Sequence, residues 1–206
     1  MRKTKDPIDF PDWESLYRNE RTETMPWYYP PLDPDLESAL QELGKKGAAL
    51  DIGTGPGTQA SALALLGFRV TATDLSATAV GNAAKEAKKR GLEIAFIEDD
   101  ILHTRLTERF DLIFDRGCFH TLPPKRRKDY VSAVSGLLRE GGFLFLKAFS
   151  HLERMKGGPY RFKKEDIRRL FEGKFDLLSI EDTVFHGTLT PFPKALFCVL
   201  KKTGRG

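Results

Sequence analysis

The feature that most constrains this chain is a glycine-rich turn placed directly after a short apolar run. Ala48-Ala49-Leu50-Asp51-Ile52 gives way to Gly53-Thr54-Gly55-Pro56-Gly57, and Thr58 to Leu66 then reads as a helix closed by Gly67. Glycine adopts backbone angles that side chains forbid, so a strand can turn sharply into a helix there. The same turn lets the backbone approach a ligand at the helix N-terminus. Strand, glycine turn and helix in that order are the opening unit of a doubly wound parallel sheet.

The rest of the chain repeats the alternation. Phe68 to Thr73 is a second strand with Asp74 at its C-terminal end. Ser76 is a suitable N-cap for a helix running to about Arg90, where Gly91 supplies the stop. Ile94 to Ile97 and Phe110 to Phe114 are further strands, ending at Glu98-Asp99-Asp100 and at Asp115. Pro124 opens a helix to about Leu138, Gly141-Gly142 turns the chain, and Phe143 to Phe149 is a fifth strand. A helix from about Lys163 to Phe171 follows, and then Phe175 to Ile180 and Ala195 to Leu200, with no helical periodicity between them, read as an antiparallel pair. The expectation is an α/β fold with seven mostly parallel strands, an antiparallel C-terminal strand, and helices on both faces.

The first 45 residues differ. Trp13, Trp27, Tyr28 and Tyr29 lie among Pro26, Pro30, Pro31 and Pro34, with an amphipathic helix from about Asp35 to Leu43. Aromatic side chains in such number bury themselves, so residues 1–45 are expected to form a cap or lid on a domain of residues 46–206.

A length of 206 residues suits one such domain with a short appendage. No apolar run approaches the ~20 residues of a membrane span, and the charged N-terminus leads into no secretory segment, so a cytoplasmic location is expected. Cys118 and Cys198 are too few for a disulfide framework, and the histidines show no metal-ligand spacing; no metal is expected. Residues 1–100 hold 12 Lys/Arg against 17 Asp/Glu, and residues 101–206 hold 21 against 12. That basic second half, with Lys125-Arg126-Arg127-Lys128, is read either as solvated helix faces or as the mark of an anionic partner.

In a doubly wound sheet, ligands bind beyond the C-terminal strand ends. Asp74 follows the first glycine by 21 residues, the spacing at which a carboxylate accepts ribose hydroxyls. The loop itself is G-x-G-x-G, not the G-x-G-x-x-G of dinucleotide sites, which disfavours a nicotinamide-dependent oxidoreductase. Asp100, with Asp99 in reserve, is the candidate acceptor for an exocyclic adenine amine. His120, five residues after the fourth strand, is a candidate general base.

With Asp51-Ile52-Gly53-Thr54-Gly55-Pro56-Gly57, Thr73-Asp74-Leu75, Asp99-Asp100-Ile101 and Phe110-Asp111-Leu112-Ile113-Phe114-Asp115 in order, the sequence from about Ala48 to Leu200 resembles the class I S-adenosylmethionine-dependent methyltransferases. The resemblance implies a Rossmann-like fold and S-adenosyl-L-methionine as cofactor, with S-adenosyl-L-homocysteine as product. It implies that Asp51, Gly53 and Gly55 hold the methionine end, Asp74 the ribose, Asp100 and Ile101 the adenine, and Asp115 the region beside the sulfonium, with Leu75 also among the cofactor-binding residues. Asp115-Arg116-Gly117-Cys118 replaces the Asn/Asp-Pro-Pro-aromatic motif of enzymes acting on exocyclic base nitrogens or glutamine.

Gly157-Gly158-Pro159-Tyr160-Arg161-Phe162, Trp13 and Pro26-Trp27 are similar to thiopurine methyltransferases and their halide, thiol and tellurite relatives. That similarity implies a small-molecule acceptor with a sulfur or other soft nucleophile. It implies that Arg116 lies beside cofactor and acceptor, and that Trp27 belongs to a lid over the cofactor. Tyr28, Tyr29, Phe119 and Tyr160 are candidate walls of an apolar acceptor pocket. The competing readings are a methyltransferase acting on RNA or protein and a non-catalytic S-adenosylmethionine binder. A nucleic-acid partner is disfavoured because no recognised RNA-binding module is present, a membrane partner is not expected, and a monomer or weak homodimer is.

Overall fold

The computed structural model describes residues 10–44 and 46–204. The cap helices are α1 (Trp13–Asn19) and α2 (Pro34–Leu43). After them come β1 (Ala48–Ile52), α3 (Thr58–Leu65), β2 (Arg69–Asp74), α4 (Ala77–Lys89) and β3 (Ile94–Glu98). The second half holds β4 (Phe110–Arg116), α5 (Arg127–Leu137), β5 (Leu138–Phe149), α6 (Lys164–Phe171), β6 (Phe175–Val184) and β7 (Lys194–Lys202). Seven strands form one sheet in the order β3-β2-β1-β4-β5-β7-β6. The pairs from β3 to β5 are parallel, and β7 runs antiparallel to both β5 and β6.

Strand periodicity sorts the core into two faces. On one, Leu50, Ile52 and Ile113 meet Tyr130 and Val134 of α5 and Ile167 and Phe171 of α6. On the other, Ala49, Leu112 and Phe114 meet Leu63 of α3 and Leu36 and Leu40 of α2. Helix α2 therefore belongs to the helical layer of the sheet, and the boundary expected at residue 45 cuts through that layer. Its ends are chemically marked. Asp33 caps it by accepting from the Asp35 amide, Pro34 fills the first turn, and Gly44 closes it in the left-handed conformation.

Two elements depart from the sequence reading. Helix α1 is present, its Trp13, Leu16 and Tyr17 spaced i, i+3, i+4, but seven residues give too short a period to stand out. Strand β5 begins at Leu138 and runs through Gly141-Gly142, where the pairing with β4 shifts register between Phe110 and Leu112. The glycines make an irregularity inside the ladder, not a turn before it.

Between α1 and α2 a proline-rich strap crosses the C-terminal edge of the sheet. Gln59 of α3 donates to the carbonyls of Tyr29 and Pro31 and accepts from the Asp33 amide, so one buried amide side chain stitches the strap to the helix after the glycine turn. Asp33, fully buried, accepts from Lys147 Nζ at 2.8 Å on both oxygens and from Arg116 Nε at 2.7 Å. Burial pushes the Asp33 carboxyl up, but Lys147 and Arg116 beside it bring it below its ordinary range. Lys147 also pairs with Asp35 at 2.6 Å.

Removing one partner of a buried ion pair leaves the other charge uncompensated. Asp33→Ala is expected to destabilise the fold by about 3 kcal/mol in urea unfolding, and Lys147→Met by a similar amount. The double variant should cost less than the sum; strict additivity would show that the two side chains do not act as one unit.

Candidate active site

The strand order reverses between β1 and β4, whose ends meet in register at Ile52 and Asp115. A cavity of about 750 Å³ opens beyond those ends. Its walls divide by chemistry. Gly53, Asp74, Asp99 and Asp100 line one wing, and Phe149, Met155, Pro159, Phe185, Leu189 and Pro193 line the other. Phe10, Trp13, Tyr17 and Trp27 from the N-terminal segment form a further wall. There the Trp27 indole donates to the Tyr17 hydroxyl at 3.0 Å, and Trp13 meets Trp27 edge to face.

The glycine turn is shaped by close approach. Gly53, Gly55 and Gly57 all have positive φ, and a Cβ on Gly55 would collide with the Tyr17 hydroxyl. A Cβ on Gly57 would sit 2.7 Å from Ala83 of α4. Asp51 is buried at the foot of the turn and accepts from the Thr54 hydroxyl at 2.6 Å. Burial pushes its carboxyl up to about 7 against that hydrogen bond. Asp51 and Gly55 thus support the turn, while Gly53 lines the cavity.

Asp74 accepts from the Gly55 amide and the Ser76 amide, both at 2.9 Å, which fixes its carboxylate at the cavity edge. Burial raises its carboxyl above the ordinary range. Leu75 beside it is exposed and lines the cavity, as does the buried Ile101. The two adjacent aspartates differ sharply. Asp100 accepts from the Leu102 amide with one oxygen and pairs with His103 Nδ1 through the other. Asp99 is buried, accepts from the Arg105 amide with Oδ1, and has no partner at Oδ2.

Asp115 does not line the cavity. Its oxygens accept from the amides of Gly117, Cys118 and Phe119 and from the Tyr130 hydroxyl at 2.7 Å, so it builds the turn that carries Gly117 and Cys118 to the cavity wall. Burial raises its carboxyl to about 6. Phe119, placed in the acceptor wall by the sequence reading, is instead fully buried in the core among Tyr130, Phe162 and Phe171, because the turn points it back under the sheet.

Tyr29 stacks against His186 and lies under Arg116. Tyr160 packs on Phe10 and Arg127, and Tyr28 sits partly buried in the strap, its amide donating to the Met25 carbonyl. None of these three tyrosines is part of the cavity lining.

Arg116 touches the cavity, but its guanidinium is engaged elsewhere. It donates to Asp33, to the Trp27 carbonyl at 3.1 Å and to the His186 carbonyl, which binds β4 to the strap and to the β6–β7 loop. Its guanidinium thus holds the strap and the loop in place from the cavity wall. His120 lines the cavity with its ring buried against Phe149 and Phe185. Its Nδ1 accepts from the Phe149 amide at 3.2 Å. Burial, with Arg116 adding to it, pushes the ring down to about 3, which favours its neutral form.

The sequence reading missed Tyr17, Asp33, Lys147, Phe149 and Phe185. Lys147 in an otherwise apolar strand was the available signal, since a lysine is almost never fully buried unless paired. Its partner Asp33 lies 114 residues away.

Comparison with known proteins shows the family to which the chain belongs. A methyltransferase-domain family profile matches residues 49–142. An uncharacterized methyltransferase of Schizosaccharomyces pombe is 31% identical over 121 residues, covering 57% of this chain and 82% of that protein. A probable thiol methyltransferase of Arabidopsis thaliana is 31% identical over 139 residues, 66% of this chain and 62% of that one. A solved structure described as "Conversion of a Disulfide Bond into a Thioacetal Group during Echinomycin Biosynthesis" superposes with a TM-score of 0.80 at 27% identity, covering 94% of this chain and 91% of that one. The chain belongs to the S-adenosylmethionine-dependent methyltransferases. S-adenosyl-L-methionine is accordingly its cofactor. Among the described residues no helix is long and apolar enough to cross a membrane.

The raised carboxyl of Asp51 has a measurable sign. Between its unfolded value near 3.8 and its folded value of about 7 the native state binds the extra proton, so stability falls as pH rises through that window. Asp51→Asn, which cannot ionise, should gain on the wild type by on the order of 2 kcal/mol between pH 5 and pH 8 in cofactor-free urea unfolding. A difference independent of pH would show that Asp51 carries no such penalty.

Proposed function

We propose that the protein transfers a methyl group from S-adenosyl-L-methionine to a small apolar acceptor bearing a soft nucleophile, with sulfur as first choice. The observation that carries this reading is the division of the cavity into a carboxylate wing and an apolar aromatic wing.

The carboxylate wing suits the cofactor. Asp74 offers lone pairs to the ribose hydroxyls, and the glycine turn leaves room beside Gly53 for the amino-acid end. The unpartnered Asp99 Oδ2 is a buried acceptor in want of a donor, and an exocyclic adenine amine supplies one. Asp99 is therefore preferred to Asp100, whose oxygens are both engaged locally. Leu75 and Ile101 give the base apolar contact, and Trp27 closes the cavity from the strap side. When bound, S-adenosyl-L-methionine supplies a methyl group on a positively charged sulfur, an electrophile that needs no further activation.

The apolar wing suits a compact acceptor. Phe149, Met155, Phe185 and Leu189 exclude water, and a soft anion reacts faster once desolvated. The N-terminal aromatics act as the lid on this arrangement. Among the described residues this wing is lined by no carboxylate that would attract an ammonium group. The names of the thiol methyltransferase relative and the thioacetal-forming structural neighbour support sulfur as the acceptor atom.

Asp74→Ala and Asp99→Asn are each expected to weaken cofactor binding by about ten- to a hundredfold in calorimetry, and Asp100→Asn by much less. Equal loss at Asp99 and Asp100 would remove the preference between them. A coupled assay for S-adenosyl-L-homocysteine over thiols, halides, tellurite, phenols and amines tests the acceptor. Turnover confined to amines, or to RNA or protein, would overturn the soft-nucleophile reading.

A further inference from the structure

The apolar wing holds one polar ring whose orientation is fixed. His120 sits on the short turn after β4, held between the Phe149 ring at 4.9 Å and the Phe185 ring at 5.4 Å. Its carbonyl accepts from the Tyr160 amide, which secures the turn from a second side. An amide N–H points at Nδ1, so the ring hydrogen resides on the other nitrogen. Moving it to Nδ1 would set two N–H groups against each other inside the core. Nε2 makes no hydrogen bond among the described residues, and it faces Gly117, where a Cβ would lie 3.0 Å from it. The absence of a side chain at Gly117 leaves that nitrogen open to the cavity.

We propose that His120 presents a fixed Nε2–H as hydrogen-bond donor to an acceptor that enters the cavity already deprotonated. The inference rests on the small-molecule methyl-transfer reading above and reassigns the histidine within it.

Of the charged and titratable groups around the ring, Arg116 acts on it as a cation, while Asp33 pairs with Arg116 and, together with Asp35, with Lys147. From β4 come the Arg116 guanidinium and Asp115, whose oxygens are filled by turn amides and Tyr130. Cys118 follows on the same turn, its thiol raised by burial. From β5 comes Lys147, its ammonium 5.7 Å from the Phe185 ring centre, and from the β6–β7 loop comes His186, lowered chiefly by burial. In the transfer, the acceptor anion forms the new bond to the methyl carbon, and the donor's carbon–sulfur bond breaks with its electron pair kept by sulfur. No proton passes to the protein, because the acceptor's proton has already gone to solvent.

Two measurements test this. Nitrogen NMR of the histidine-labelled protein should show His120 as a neutral ring protonated at Nε2, unchanged from pH 8 to pH 5; titration near 6.5, or protonation at Nδ1, would overturn the assignment. In a series of aryl and alkyl thiols of stepped acidity, the inflection in kcat/KM should follow each thiol's own ionisation. An inflection at one fixed pH across the series, lost in His120→Gln, would mark His120 as a base. His120→Gln keeps a donor of similar reach and should retain activity within about tenfold, while His120→Leu should lose about ten- to a hundredfold, mainly in KM. Equal losses in two variants of wild-type thermal stability would overturn the donor role. Failure of every thiol with the fixed Nε2–H tautomer intact would defeat the sulfur reading and leave the tautomer established.

Discussion

Two buried cations converge on one buried carboxylate at Asp33, and the position of everything around the cavity follows from that contact. Lys147 projects from β5 and Arg116 from the end of β4, while Asp33 stands at the junction of the strap and α2. A charge in an apolar interior is tolerated only when it is paired and hydrogen-bonded. The strap therefore has one place to cross the sheet edge. Arg116 extends the same constraint by binding the carbonyls of Trp27 and His186, so the N-terminal aromatics and the β6–β7 loop are set relative to each other through a single guanidinium. Gly187 completes the junction, lying so close to the Pro26 carbonyl that no side chain fits between them.

That junction gives the cavity its two-part character. On the side of β1 and β4, burial raises the carboxyls of Asp51 and Asp115, against hydrogen bonds that act to lower them. On the side of β5 and the β6–β7 loop, Lys147 and Arg116 are paired with Asp33 and Asp35, and the rings of Phe149 and Phe185 line the cavity. The two wings thus differ in chemistry, carboxylates on one side and aromatic rings on the other.

Much of the fold was legible because its punctuation is local. Gly57 opens α3, Ser76 caps α4, Gly91 and Gly44 close helices, and each acts within a few residues of where it stands. The site was legible where a residue's place at a strand end decides its exposure, as with Asp74 and Gly53. It was illegible where the outcome depends on partners far apart in sequence. Asp33 and Arg116 are 83 residues apart, and nothing local to either declares the pair. Asp99 and Asp100 are neighbours at one strand end, and only the loop that follows determines which carboxylate is left open. Phe119 and His120 pose the same problem on one turn, where adjacent side chains leave in opposite directions.

Glu14 of α1 reaches α4, accepting from the hydroxyls of Ser76 and Thr78 and from the Thr78 amide, and those hydrogen bonds hold its carboxyl down to about 2. The same Ser76 donates its amide to Asp74. One serine therefore joins the anchor of the aromatic wall to the carboxylate at the cofactor wing. Linkage is reciprocal: whatever cofactor occupancy does to the grip of α1, the grip of α1 does to cofactor affinity by the same factor.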